Sequence, residues 1–249
     1  MQRFTGKTVL VTGGNSGIGL AAAKAYADEG ARVVITGRDT ASLAQAQAEL
    51  GPAAVALRND AASLPAARTL ADELATRGID LDAVFINAGA AKFAPFAEVD
   101  ETLWDANFDV NVKGAYFQLQ ALLPRLNDGA AIVINGSINA HIGMPGSSVY
   151  AASKAALISL AKTLSAELLP RGIRVNVVSP GPISTPLYSK LGMDAATLEA
   201  TAAQIQAQVP LGRFGSPEEL ASTVLHLSAR ESAFIVGSEI IVDGGMSQL

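Results

Sequence analysis

The sequence predicts a single α/β domain built on a doubly wound parallel sheet. Short runs rich in Val, Ile and Leu alternate with longer Ala-rich helical segments along the 249 residues. Several of these runs are apolar at nearly every position, which is typical of parallel strands covered on both faces. Such strand–helix alternation implies right-handed crossovers. No linker, low-complexity tract or charge block divides the chain, so we predict one domain over residues 1–249.

The predicted elements follow one another in a regular order. Strands are predicted at about 8–12, 32–36, 54–58, 83–87, 131–135, 174–179 and 239–242. Helices are predicted at about 17–29, 40–50, 63–77, 101–126, 148–169 and 217–228. Segment 182–214, which has several Pro and Gly around a helical patch near 194–208, departs from this order. We interpret it as a mobile helical lid after the sixth strand, because ligands bind at the carboxyl ends of parallel strands. The alternative is an excursion that packs on the surface.

Composition excludes several kinds of chemistry. The chain has no Cys and two His, which excludes disulfides, thiol catalysis and thiolate or multi-histidine metal sites, and no metal is expected. The net charge is −5, without a basic block that would bind nucleic acid or an acidic membrane. The apolar stretch at 9–11 is too short for the hydrophobic region of a signal peptide, and no segment is typical of a membrane span. We therefore expect a soluble cytoplasmic protein.

A glycine-rich turn directly follows the first predicted strand. Its glycines permit a tight turn and a close approach of the backbone to a pyrophosphate, and the next helix presents free N–H groups to the phosphates. The spacing Gly-x-x-x-Gly-x-Gly differs from the commonest dinucleotide fingerprint, and the Lys-Ser/Thr of a nucleoside-triphosphate loop is missing. A purely structural turn is the alternative, but the position favours a dinucleotide site in a Rossmann fold. The predicted contacts are Gly13, Asn15, Ser16, Gly17, Ile18 and Gly19.

The end of the second predicted strand indicates which dinucleotide is bound. A carboxylate there binds the ribose 2′-hydroxyl of NAD(H), whereas an arginine pairs with the 2′-phosphate of NADP(H). Gly37 stands where the acid is expected, and Arg38 follows it. We expect NADP(H) to be preferred. NAD(H) stays open because Asp39 can neutralise Arg38 or contact the ribose, although it can instead cap the next helix.

Tyr150, Lys154 and Ser137 are candidates for proton chemistry. Tyr150 and Lys154 are four residues apart and share one helix face, and Ser137 lies 13 residues before Tyr150. A free phenol has a pKa of about 10, and a nearby ammonium with an oxidised nicotinamide favours the phenolate. The phenol can then exchange a proton with a carbonyl or alcohol oxygen that the serine holds. Taken singly, each residue also has a structural alternative. Tyr150 and Lys154 can be an exposed helix pair, Ser137 can cap a turn, and Asn111 can bond buried backbone groups.

Together these motifs resemble the short-chain dehydrogenase/reductase family, in its branch of about 250 residues, over essentially the whole chain. The matching residues are Thr12-Gly13-x-x-x-Gly17-Ile18-Gly19, Asp60, Asn87-Ala88-Gly89, Asn111, Ser137, Tyr150-x-x-x-Lys154, Asn176, Pro180-Gly181 and Val242-Asp243-Gly244-Gly245. The chain departs from the family pattern at two places. Ile86 replaces the first Asn of Asn-Asn-Ala-Gly, and Asn135-Gly136 precedes Ser137 where small hydroxyl residues are more usual.

The resemblance implies a role for each matching residue. Tyr150 is the general acid/base, and Lys154 binds the nicotinamide ribose and lowers the tyrosine pKa. Ser137 positions the substrate carbonyl, Asn111 holds a water in a proton relay from Lys154, and Asp60 contacts the adenine. The other implied cofactor contacts are Asn87, Ala88, Gly89, Pro180, Gly181, Ile183 and Thr185.

Apolar surfaces predict both association and substrate class. The helix after Tyr150 and the helix near 113–126 are apolar over more than one face. We expect a homo-oligomer, and the resemblance implies that it is a homotetramer. The alternative is a monomer with an apolar patch.

The stretches expected to face the substrate have no Arg or Lys cluster. They are 90–96, 139–144 and the lid residues Leu187, Tyr188, Leu191 and Met193. This favours a neutral ketone, aldehyde or secondary alcohol. His141 either contacts the substrate or faces solvent.

Three functions are compatible with these features. An NADPH-dependent carbonyl reductase or alcohol dehydrogenase is favoured. A 3-oxoacyl-carrier reductase is the second, and a basic docking surface beside the lid would support it. A non-catalytic NADP-binding sensor is the third. The presence of Asn111, Ser137, Tyr150 and Lys154 together argues against a sensor, because a protein without catalysis need not keep all four.

Overall fold

A parallel sheet forms the centre of the fold in the computed structural model, which describes residues 2–185 and 194–249. Within these residues the sheet has seven strands in the order β3-β2-β1-β4-β5-β6-β7, and every pairing is parallel. The strands are β1 (Thr8–Thr12), β2 (Arg32–Gly37), β3 (Val55–Arg58), β4 (Leu81–Ile86), β5 (Leu126–Asn135), β6 (Arg174–Pro180) and β7 (Glu239–Val242). The predicted doubly wound fold is confirmed.

Helices cover both faces of the sheet. They are α1 (Gly17–Asp28), α2 (Thr40–Leu50), α3 (Leu64–Thr76), α4 (Glu101–Phe108), α5 (Ala115–Leu122), α6 (Ser148–Leu168), α7 (Ala195–Ala207) and α8 (Pro217–Ser228). Alternate residues of β1 enter two separate cores. Val9 and Val11 pack with α1, α2 and α8, whereas Leu10 packs with α3, α5 and α6. Burial on both faces is the reason why these strands are apolar at successive positions.

The helix predicted at about 101–126 is broken into several pieces. Between α4 and α5 the chain forms a π-helical segment, Asp109–Gly114, and after α5 it ends in a 3-10 turn, Leu123–Arg125. Gly114 packs so closely on the loop after β3 that an added Cβ would lie 2.1 Å from the Ala61 carbonyl oxygen. π-helical segments are frequent at functional sites, and this one contains Asn111.

The fifth strand begins earlier than predicted. Leu126 pairs with Leu81, and regular pairing resumes only at Ala131 with Ala83, so the register shifts between them. Residues 127–129, which lie between these two pairings, are exposed, and Gly129 is in the left-handed region at φ 80°. The apolar pattern at 131–135 therefore marks the buried half of the strand.

The two limbs of the predicted lid are joined at their base. Gly215 N donates to Pro182 O at 3.0 Å, and Ser184 N donates to Gly215 O at 2.9 Å. α7 lies within the helical patch predicted near 194–208. Four lid residues assigned to the substrate side lie outside the described residues: Leu187, Tyr188, Leu191 and Met193. The lid motion stays a prediction.

A search of the described helices for a membrane span found none that is both long and apolar enough.

Candidate active site

Hydrogen bonds join the carboxyl ends of β1, β4 and β5. Thr12 Oγ1 accepts from the backbone N–H groups of Asn87 and Ala88, each at 2.9 Å. The Asn87 side chain donates to Thr12 O at 3.0 Å and accepts from Asn135 Nδ2 at 3.0 Å. Three strand ends are therefore held together at the edge of the sheet where such folds bind ligands.

The glycine-rich turn forms a cradle that side chains could not occupy. Gly13 has φ 63°, and a Cβ on Gly19 would lie 2.2 Å from the Gly13 carbonyl oxygen. Within the described residues, the Ser16 side chain makes no capping bond to α1, whereas Asp39 caps α2 and Ser63 caps α3. The first N–H groups of α1 and their partial positive charge are thus available to an anion. The cradle fits a dinucleotide pyrophosphate.

The end of β2 is shaped by Asn15. A Cβ on Gly37 would lie 2.6 Å from Asn15 Oδ1, which explains why glycine stands where an acid was expected. Asn15 Nδ2 donates to Ser42 Oγ at 2.8 Å, and Asp39 Oδ1 accepts from Ser42 N at 2.8 Å. Asp39 therefore has the capping role that was one of its alternatives.

A cavity of about 300 Å³ lies beside this strand end, lined by Arg38, Arg58, Asp60, Ser63 and Ala66. Arg58 Nε donates to Arg38 O at 3.2 Å, because Arg58 lies opposite Gly37 in the β2–β3 register. The cavity thus brings two predicted cofactor residues, Arg38 and Asp60, to one place. Arg58 was not among the predicted residues, since its proximity to Arg38 depends on strand register.

Tyr150 and Lys154 lie in the first two turns of α6 and face the end of β5. Lys154 Nζ donates to Asn135 O at 2.7 Å and lies 5.8 Å from the centre of the Tyr150 ring. Lys154 and Ser137 are buried. Ser137 Oγ also accepts from Asn139 N at 3.2 Å, so this serine caps a turn in addition to facing the site. Asn135, which departs from the family pattern, thus holds both Lys154 and Asn87.

Burial sets the protonation of the pair. It raises the pKa of Tyr150, and the Ser137 hydroxyl acts in the opposite direction. Burial also lowers the pKa of Lys154 to about 8. In the free protein the pKa of Tyr150 is therefore raised, and its expected lowering by Lys154 with an oxidised nicotinamide stays a prediction. The physical reason is that desolvation of the phenolate exceeds the other effects. At neutral pH the phenol keeps its proton and is a proton donor.

Asn111 is buried and lies close to Lys154. Its side chain accepts from Ala90 N at 2.8 Å and donates to Ala90 O and Ser153 Oγ, each at 2.9 Å. Gly89 separates it from the lysine, since a Cβ there would lie 3.2 Å from Asn111 Oδ1 and 3.6 Å from Lys154 Nζ. The buried backbone contacts that were the structural alternative are therefore present, and the proton relay stays a prediction.

The loop after β6 packs on the turn after β7. A Cβ on Gly181 would lie 2.6 Å from Asp243 Cβ, and Asp243 accepts from Gly245 N at 2.8 Å and Ser247 N at 2.7 Å. Pro180 pairs with Val242 in the sheet. Ile183 is buried among the apolar side chains that pack on α1, α2 and α8, and Thr185 is half-buried.

The substrate side carries aromatic and apolar side chains. The Phe93 ring lies 5.3 Å from the Tyr150 ring, centre to centre, and Phe93 and Met144 are each 41% exposed. His141 Nε2 lies 2.7 Å from Glu239 Oε1, which also accepts from Ser179 Oγ at 2.5 Å. His141 is exposed, as one of its two alternatives predicted, and its ring also meets a carboxylate.

Known proteins match this chain over nearly its full length. A family model described as enoyl-(acyl carrier protein) reductase matches residues 13–247. The oxidoreductase asL5 of Sarocladium schorii is 38% identical, over 100% of this chain and 99% of its own. The L-rhamnose 1-dehydrogenase (NAD(P)(+)) of Azotobacter vinelandii is 36% identical, over 96% of each chain.

A solved structure agrees with these matches. It is that of a short chain dehydrogenase/reductase family protein, with 40% sequence identity, a TM-score of 0.86, and coverage of 99% of this chain and 100% of its own. The family model spans the glycine turn, the Tyr150–Lys154 pair and the turn after β7. The chain therefore belongs to the short-chain dehydrogenase/reductase family and is an oxidoreductase of that family.

Proposed function

We propose that this protein is an NADP(H)-dependent oxidoreductase that transfers a hydride between the nicotinamide and a neutral, largely apolar ketone, aldehyde or secondary alcohol. The observation that carries the proposal is the position of Lys154 Nζ, 2.7 Å from Asn135 O and 5.8 Å from the Tyr150 ring centre. This places a phenol and an amine together at the edge of the sheet that also carries the glycine cradle. The reaction is of the carbonyl reductase and alcohol dehydrogenase type.

The residues of the chain divide the work at the carbonyl group. When bound, the reduced nicotinamide supplies the hydride to the carbonyl carbon. Tyr150 donates its phenolic proton to the carbonyl oxygen, so that the product is an alcohol, and Ser137 Oγ–H donates a hydrogen bond to the same oxygen. Lys154 holds the nicotinamide ribose, and a water held at Asn111 returns a proton from Lys154 to Tyr150. Oxidation of an alcohol reverses these steps.

Replacement of Tyr150 by Phe removes the proton donor and leaves the ring. We expect the Tyr150→Phe variant to lose NADPH-dependent ketone reduction by at least about a thousandfold in kcat, with the Kd for NADPH changed less than about threefold. Ser137→Ala should lose about a hundredfold. Steady-state kinetics and fluorescence titration measure these quantities. Full activity of Tyr150→Phe would refute the mechanism. A wild-type protein that binds NADPH but reduces no carbonyl would support the sensor alternative.

The two arginines of the cavity beside β2 support a preference for NADP(H). A 2′-phosphate carries more negative charge than a 2′-hydroxyl and gains most from guanidinium partners. Arg38 and Arg58 line one cavity together with Asp60, and Gly37, the last residue of β2, has no side chain to bind a ribose 2′-hydroxyl. NAD(H) is a weaker alternative, since it has no 2′-phosphate to pair with the two guanidinium groups.

Loss of either arginine should weaken binding of NADPH and not of NADH. We expect Arg38→Ala to raise the Kd for NADPH about 10-fold to 100-fold, and Arg58→Ala to raise it about 3-fold to 10-fold. Arg77→Ala is a matched control, because Arg77 follows the far end of α3 and does not line the cavity. Fluorescence titration with both nucleotides measures the ratio. An unchanged ratio in both variants would contradict the assignment.

Burial of Lys154 gives the free protein a characteristic dependence on pH. Its pKa is lowered from the ordinary 10.5 to about 8. Between these values the unfolded chain binds the proton and the folded chain does not, so the stability of the folded state rises with pH. Below about pH 8 the cost of burying the ammonium is fully present.

Replacement of Lys154 by Met removes that cost. We expect the free energy of unfolding of Lys154→Met, relative to the wild type, to fall by about 2–3 kcal/mol between pH 7 and pH 10.5, because the wild type alone gains stability there. Urea denaturation without cofactor measures the difference, and Lys162→Met, on the exposed side of the same helix, is the control. A difference that is independent of pH would show that Lys154 keeps an ordinary pKa.

We also propose that the protein is a homotetramer. Trp104 on α4 and Tyr116 on α5 are 46% and 40% exposed in the single chain, and Trp104 stacks on Phe108 at 4.6 Å. A symmetric assembly would cover these rings. Light scattering at micromolar concentration should give about four times the chain mass of 25.5 kDa. A mass of one chain would refute this and support the monomer with an apolar patch.

A 3-oxoacyl-carrier reductase is the second candidate. The description of the matching family model, which names an acyl-carrier substrate, favours it. An acidic carrier would need a basic surface beside the lid. Arg213 lies there, but its guanidinium is paired with Glu219 at 2.7 Å, so it offers little free charge to a carrier. We therefore favour the small neutral substrate.

A further inference from the structure

We infer that Phe93 determines which substrates the site accepts, and that Asn107 positions Phe93 by holding the loop that carries it. The Phe93 ring would form the wall against which an aromatic or bulky apolar substituent of the ketone packs. The inference rests on the proposed function and adds to it a substrate class and two residues outside the catalytic group.

Phe93 is placed directly beside the proton donor. Its ring meets the Tyr150 ring at 5.3 Å between centres with an angle of 64° between the planes, an edge contact that aromatic pairs favour. The residue is 41% exposed, so one side of the ring contacts Tyr150 and the remainder is open to a ligand. A carbonyl oxygen bonded to the tyrosine hydroxyl would bring its substituents next to that open side.

Two buried asparagines fix the loop that carries Phe93. Asn107 accepts from Lys92 N and donates to Lys92 O, each at 3.2 Å. Asn111, four residues later, makes the same pair of bonds with Ala90. Each side-chain amide therefore satisfies both backbone groups of one loop residue, in the manner of a neighbouring strand.

A backbone hydrogen bond holds the residue that follows Phe93. Ala94 N donates to Gly146 O at 3.0 Å, which ties this loop to the segment that leads into α6. Phe93 thus lies between two residues whose backbones are held. Asn107 is completely buried and also donates to Leu103 O at 3.0 Å, so its amide cannot turn without losing several bonds. A ring held in this way discriminates between substrates by shape instead of adapting to each.

Met144 lies in the segment before α6, two residues before Gly146. It is 41% exposed, and the Ala94–Gly146 bond joins the two loops. Its flexible thioether can adapt to different substituents, whereas the backbone on both sides of Phe93 is held by hydrogen bonds. We expect the Phe93 ring and the Met144 thioether to offer a mainly apolar surface, which suits an aryl group better than a hydroxylated or charged one.

Two ketones of different size test the wall. We expect the wild type to reduce acetophenone with a higher kcat/KM than butan-2-one, with NADPH as reductant. Phe93→Ala should lower kcat/KM for acetophenone about 10-fold to 100-fold and change it for butan-2-one by less than about 3-fold. Phe234→Ala is the matched control. Its ring is 103% exposed, and its neighbour Ile235 bonds Arg174 at the opposite edge of the sheet.

A double-mutant cycle tests whether Asn107 acts through Phe93. Asn107→Ala should lower the acetophenone preference and leave the Kd for NADPH unchanged. In the Phe93→Ala background the same change should have no further effect on the preference. Asn107→Asp keeps the acceptor for Lys92 N, so it should retain an intermediate preference even if the alanine variant folds poorly.

The outcomes separate this inference from the proposed function. Equal losses on both ketones in Phe93→Ala, a wild type that prefers butan-2-one, or independent effects in the double variant would overturn the inference while NADPH-dependent reduction persists. A wild-type protein that oxidises NADPH with neither ketone would count against the proposed function itself, and the inference would fail with it.

Discussion

The rest of the site depends on hydrogen bonds that hold the carboxyl ends of β1, β4 and β5 together. Thr12, Asn87 and Asn135 bond one another across the three strands, and Asn135 O then accepts from Lys154 Nζ at 2.7 Å. A shift of the end of β5 would therefore move the carbonyl group that holds the Lys154 amine beside Tyr150. The glycine cradle is joined to the same group, because Asn87 Nδ2 also donates to Gly13 O at 3.3 Å.

The packing that orders the site also sets its chemistry. Burial raises the pKa of Tyr150 and lowers that of Lys154 to about 8, because both charged forms lose water. The free protein therefore contains a protonated phenol beside an amine that loses its proton readily. This combination suits the donation of a proton to a carbonyl oxygen. In the proposed reverse reaction, the positive charge of a bound oxidised nicotinamide would favour the phenolate that removes a proton from an alcohol.

Local patterns in the sequence predicted the sheet, most helices and the grouping of the site. β1 and β7 have the predicted bounds because their apolar runs end at turns with strong local signals. The π-helical segment around Asn111 was not predicted, since it depends on how α4 and α5 pack against the loop after β3. Arg58 and Asn107 were missed for a similar reason. Strand register brings Arg58 to Arg38, and a loop with no periodic pattern brings Lys92 to Asn107.

In the proposed mechanism, one carbonyl oxygen meets Tyr150 and Ser137, and the carbonyl carbon would receive the hydride that a bound nicotinamide supplies. A crystal structure with NADP⁺ and acetophenone tests it directly, because the oxidised cofactor has no hydride to give and the ketone persists. We predict the ketone oxygen within hydrogen-bond distance of the Tyr150 hydroxyl and Ser137 Oγ, with the phenyl ring against Phe93 and the pyrophosphate at the glycine cradle. A ketone bound with its oxygen away from Tyr150 would contradict the mechanism.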